Sequence, residues 1–226
     1  MIGLAGNIKL HFGAKYMAED TAGYLLYRFD RAALDGRAVD MARLACFLGL
    51  AVHCEYVTGD CTQALGMVAF EPQRVYTAAG ALDLFTPAAV VERDIIERGE
   101  GGLYNFALAL MCAEALFFGA KHDQDDGAQL SFGLHSVASH NGKRIELDAA
   151  ADDIFLKEES AARFALKLLM PKNGFKRQTM ALYAYLHINR ATLDERKHLP
   201  FVVENMAERY NVPAFAVLAR MKELNL

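Results

Sequence analysis

Tryptophan is absent from the 226 residues, cysteine occurs four times and proline five times, and neither sign of charge dominates, the net charge being −4. Each shortage removes a class. Cys46, Cys54, Cys61 and Cys112 show no CxxC spacing, and the last lies inside an apolar run, so a disulfide scaffold or a cysteine zinc site is not expected. A disordered chain needs low hydrophobicity with high net charge, whereas 54% of these residues are apolar and 23% charged. The first sixteen residues, MIGLAGNIKLHFGAKY, contain no uninterrupted apolar core after a basic start, so no secretory signal is read there. The longest apolar stretch, Leu103 to Gly119, is about one residue short of the ~18 that span a bilayer and carries Asn105 and Glu114. A cytoplasmic chain without a membrane partner is the expectation.

Charge is distributed unevenly. Residues 151–226 hold 12 Lys and Arg against 9 Asp and Glu, which leaves 12 against 19 for residues 1–150. A surplus of three is too mild to predict a nucleic-acid partner, because such domains concentrate basic residues on one face.

Periodicity and punctuation order the elements. Tyr16 to Ala33 places Ala22, Leu25, Leu26, Phe29 and Ala33 near a 3.6-residue period, an amphipathic helix broken by Asp35-Gly36. Ala38 to Leu48 reads as a second helix, and Leu50 to Val57, Gly66 to Phe70 and Arg74 to Thr77 as three strands of a small sheet. Thr86-Pro87 has the form of a helix start, predicting a helix to about Arg98. From Leu103 to Gly119 the chain is apolar on nearly every side, the pattern of a buried central helix. A hairpin could pair Gln129–Val137 with Lys143–Leu147 across His140-Asn141-Gly142. Helices are expected from about Ile154 to Met170, stopping at Pro171, and near Phe175–Ile188, Phe201–Tyr210 and Pro213–Leu224. Strands early and helices late make the class α+β.

Two segments carry a resemblance. Phe106-Ala-Leu-Ala-Leu-Met-Cys-Ala-Glu114 and Glu158-Glu-Ser-Ala-Ala-Arg-Phe-Ala-Leu-Lys-Leu-Leu-Met-Pro171 resemble the ImmA/IrrE-type family of zinc metallopeptidases. There the first helix reads F-T-x-A-H-E-x-x-H and the second E-x-x-A-N-x-F-A-x-x-L-L-M-P. Glu158, Ala161, Phe164, Ala165, Leu168, Leu169, Met170 and Pro171 match the second pattern, and Ala162 replaces its asparagine. The resemblance runs from about residue 15 to the end, including Ala207–Val212 and Arg220–Leu226, with residues 121–153 longer than the family norm. It implies a zincin-like helical domain with a small three-stranded sheet and C-terminal helices: one domain over 1–226, with a core at 15–170 and an extension at 171–226.

The chemistry departs from the family. A zincin helix needs two histidines four apart, so that both imidazoles share one face, and a glutamate beside the first to activate metal-bound water. The first histidine falls on Leu110, the glutamate on Met111 and the second histidine on Glu114. Leucine cannot ligate a metal and methionine cannot take a proton, so neither a catalytic residue nor a bound cofactor is expected, zinc being the cofactor of the family. Glu158, at the third ligand position, keeps its residue and shares a helix face with Ala162, Ala165 and Leu169. Two facing carboxylates must share a proton, meet a cation or meet an arginine. Glu114, Glu158 and His122 are therefore the candidate metal ligands, with His135 and His140 as substitutes for His122. The run His122-Asp123-Gln-Asp125-Asp126-Gly127 resembles a calcium loop but lacks the closing glutamate, and reads as a solvated acidic turn. Cys112, in an apolar helix, is expected to have a raised pKa and to be inert.

The resemblance implies a regulatory protein that binds a partner, a helix-turn-helix repressor of a mobile or stress-responsive element, without cleaving it. An active metallopeptidase with atypical ligands is the alternative. DNA binding through the helix pair Phe201–Tyr210 and Pro213–Leu224, using Arg220 and Lys222, is a second.

Overall fold

The computed structural model describes residues 18–57, 64–122, 142–146, 160–188 and 197–226. Its architecture is α+β, with described helices packed around one long central helix and a small mixed sheet.

The first helix, α1 (Ala18–Phe29), buries Ala22, Leu25 and Leu26 on one face, as its period predicts. It does not continue to Ala33. Asp30 leaves helical geometry and its carboxylate accepts from the Ala32 amide, which starts a separate short helix, α2 (Arg31–Leu34). Asp40 caps α3 (Met41–Phe47) by accepting from the Arg43 amide.

Strands β1 (Ala51–Glu55), β2 (Ala64–Ala69) and β3 (Gln73–Thr77) lie close to their expected places. The expected three-stranded sheet is incorrect in two ways. The sheet has four strands, in the order β1-β5-β2-β6, and β3 leaves it to pair with β4 (Gly80–Leu84) in a separate antiparallel hairpin. The central strand, β5 (Ala88–Glu92), occupies the stretch expected to be helical from Thr86-Pro87, and only α4 (Arg93–Glu97) of that helix forms. All five residues of β5 are buried: β1 runs parallel to it on one edge and β2 antiparallel on the other, while Ala89 and Val91 pack into the main core on one face and Ala88 and Val90 join Val75 and Leu84 of the hairpin on the other. A strand covered on both faces has no polar alternation, and a short apolar run cannot be told from a helix by period alone. The strand β6 (Gly142–Glu146) pairs with β2, and residues 129–137, its expected hairpin partner, lie outside the described residues.

The long helix α5 (Gly101–His122) runs through the main apolar core, where every residue from Phe106 to Ala113 is buried. Its single buried amide, Asn105, is fully used. Asn105 Nδ2 donates to the carbonyls of Val39 and Asn211, each at 3.2 Å, and Oδ1 accepts from the Met41 amide at 3.3 Å. A polar group in a dry interior is tolerated when it is bonded in this way, and here it ties α5 to the start of α3. The following helices are α6 (Ser160–Leu169), α7 (Lys172–Tyr185), α8 (Leu199–Tyr210) and α9 (Ala214–Leu224). The expected residues 154–159 of α6 lie outside the described residues. Asn211, at φ 50°, turns α8 into α9 in the left-handed conformation asparagine tolerates. None of the described helices is long and apolar enough to cross a membrane.

Candidate functional site

The residues that the resemblance sets against a zinc-binding helix, Leu110, Met111 and Glu114, lie on α5, which packs against β2, β5 and α6. Leu110 is 8% exposed and Met111 is 0% exposed, and both belong to the continuous apolar core. The Met111 side chain reaches β2 at Gly66, where a Cβ would lie 2.5 Å from its terminal methyl. The methionine thus fills the gap between helix and sheet. Glu114, one turn on, is only partly exposed. Glu158, His135 and His140 lie outside the described residues, and His122 ends α5. Among the described residues no group of three or more His, Cys, Asp or Glu side chains is placed to hold a metal. Leu110 and Met111 can pack, and they supply neither a ligand lone pair suited to zinc nor a base.

The described thiols do not form a nucleophilic site. Burial pushes the Cys112 thiol up to about 12, and the side chain has no solvent exposure. Cys54, half-buried on β1, is also held above the ordinary thiol range by burial and by the neighbouring Glu55, despite a hydrogen bond with the Tyr104 side chain. Labelling of the native protein with iodoacetamide at pH 8, read by mass spectrometry, should modify exposed Cys46 while Cys112 reacts only after unfolding.

Tyr210 is likewise raised to about 12 by burial. Both groups are neutral in the folded chain and ionise more readily once unfolded, where the thiol titrates near 9 and the phenol near 10. Their contribution is complete below about pH 9 and is lost as pH rises towards 12. Stability followed by urea titration should therefore fall by several kcal/mol over that alkaline window.

Sequence reasoning missed two buried charged groups. Glu92, at the end of β5, is 4% exposed; its Oε2 accepts from the Val57 amide at 2.9 Å, while Oε1 has no hydrogen-bond partner among the described residues. The clue was the run Ala88-Ala-Val-Val-Glu, whose valines favour a strand and place the glutamate at its end. Arg220 is the second. Expected as an exposed cation of the C-terminal pair, it is 0% exposed and donates to three groups: the Met170 carbonyl at 2.9 Å, Glu223 at 2.7 Å and Glu19 at 2.6 Å. It is committed to the interior, whereas Lys222 is exposed.

Comparison of the chain with protein-family models, with curated proteins and with solved structures finds no match.

Proposed function

We propose that this chain is a catalytically silent relative of the ImmA/IrrE-type metallopeptidases, a zincin-like scaffold that acts by binding a partner protein. The observation that carries the reading is the burial of Leu110 and Met111 in one apolar core, with the Met111 methyl against Gly66. The motif match over Glu158–Pro171 supplies the family, and the side chains at the first ligand and base positions argue against peptide hydrolysis. The partner we favour is a helix-turn-helix repressor, met in the cytoplasm and controlled by association alone. Such a role suits transcription regulation on a mobile or stress-responsive element. The alternative of DNA contact through residues 201–226 is weakened by the burial of Arg220, since base readout requires an exposed side chain.

Co-purification with the helix-turn-helix repressors of the genome that carries the chain tests this reading. A complex in which the repressor stays at full length after prolonged incubation is expected. Chelator-sensitive cleavage of the repressor, or no association with any of them, would contradict it.

A further inference from the structure

The β3–β4 hairpin has two unlike faces. Val75 and Leu84 point inward, into a small cluster with Ala69, Ala88 and Val90. The opposite face exposes Arg74 and Tyr76 on β3 and Ala81 and Asp83 on β4. Tyr76 at 78% and Phe85 at 85% are the two most exposed large apolar side chains among the described residues, and both belong to this hairpin or its end. The pairing register sets Arg74 directly across from Asp83 and Tyr76 across from Ala81. Arg74 Nε donates to Asp83 Oδ1 at 2.5 Å and Nη2 to Oδ2 at 2.9 Å, so the two charges form a fixed pair beside the aromatic ring.

We propose that this outer face is a contact between two copies of the chain, stacked hairpin on hairpin about a two-fold axis that runs along the strands. The pattern is self-complementary about that axis. Rotation about it lays β3 of one copy over β4 of the other, so Arg74 faces Asp83 and the bulky Tyr76 faces the small Ala81, each twice over. Each guanidinium then lies between two carboxylates. A two-fold axis across the strands at the Arg74–Asp83 row would instead set Arg74 on Arg74 and Asp83 on Asp83, which like-charge repulsion disfavours, and one midway between the rows would set Asp83 on Ala81 with no cation facing it. Two short strands offer a face of roughly 17 by 10 Å, well below the ~800 Å² per partner of a standard stable interface. The association is therefore weak and depends on concentration.

Sedimentation equilibrium of the whole chain from about 10 μM to 1 mM tests the contact. A monomer–dimer equilibrium is expected in that range. Arg74→Asp or Asp83→Arg alone should raise the dissociation constant at least about tenfold, because each places like charges face to face. The combined exchange Arg74→Asp with Asp83→Arg rebuilds the alternation and should return it to within about threefold of the parent. Tyr76→Ser, which leaves the ion pair intact, should weaken the dimer as well. Circular dichroism of each variant confirms that these solvent-facing changes leave the fold in place. A chain monomeric up to 1 mM, a dimer indifferent to Arg74→Asp, or an exchange that fails to restore association would overturn the proposal.

Discussion

Replacing Arg220 with alanine is expected to lower stability by about 3–4 kcal/mol, a large share of the ~5–15 kcal/mol that holds a typical domain together. The reason lies in what the guanidinium joins. Its Nε satisfies the carbonyl of Met170 where α6 ends, Nη1 binds Glu223 on its own helix, and Nη2 binds Glu19 in the first turn of α1. Glu19 also accepts from the amide of Lys172, the first residue of α7, and Glu223 pairs with Lys167 on α6. Four helices thus converge on one buried cation. Its removal leaves a void, a carbonyl without this donor and two carboxylates deprived of a shared charge, although their partial exposure moderates the loss. Urea unfolding followed by circular dichroism measures it. Arg177, whose ion pair with Asp35 is exposed on both sides, serves as the control and should cost less than about 1 kcal/mol. Equal small losses for both would contradict the role assigned to Arg220.

The second large effect is expected at Gly66. Its φ of 141° belongs to the region glycine tolerates and L side chains avoid. Space forbids a side chain as well, since a Cβ would meet the Val90 carbonyl oxygen at 2.2 Å and the Met111 methyl at 2.5 Å. Gly66→Ala must therefore force β2 away from β5 and α5, at a cost above about 3 kcal/mol. Gly80 provides the comparison: its φ is 125°, but nothing lies within 4 Å of the Cβ position. Gly80→Ala should cost only its backbone strain, about 1–2 kcal/mol. Adding Met111→Ala to Gly66→Ala should recover little, because the carbonyl that blocks the Cβ is backbone and stays. A full recovery would show that the methionine alone sets the packing at this point.

Much of the helical part of the fold was legible in sequence. The Leu25 and Leu26 stripe, the apolar run from Leu103, the stop at Pro171 and the α8–α9 pair each carry a local signal that survives in three dimensions. The sheet was less legible. Proline after threonine signals a helix start, yet Ala88 to Glu92 enters the middle of a sheet because burial on both faces outweighs that cue. Strand β4 carries only Leu82-Asp83-Leu84 as alternating pattern, too short a run to detect. Arg220 shows the limit most clearly. An arginine among Leu218, Ala219 and Met221 reads as a surface residue, and only the approach of Glu19, 201 positions earlier, turns it into a buried junction.

At the candidate site, the apolar character of Leu110 and Met111 was readable in the sequence, and both are buried in the core. What the sequence did not reveal is how that space is closed. The fit of Met111 depends on a bare glycine 45 positions earlier in the chain, at a register shift between β2 and β6. Glycine in a strand marks a close backbone approach, but the residue that approaches it is set by tertiary packing.

Zinc content tests the central claim most directly. The chain purified without chelator from zinc-supplemented cells and analysed by inductively coupled plasma mass spectrometry should carry well under about 0.1 zinc per chain, since Leu110 and Met111 offer it nothing. About one zinc per chain, removed by chelator together with cleavage of a repressor, would contradict a silent scaffold and establish a working peptidase with ligands outside the familiar motif.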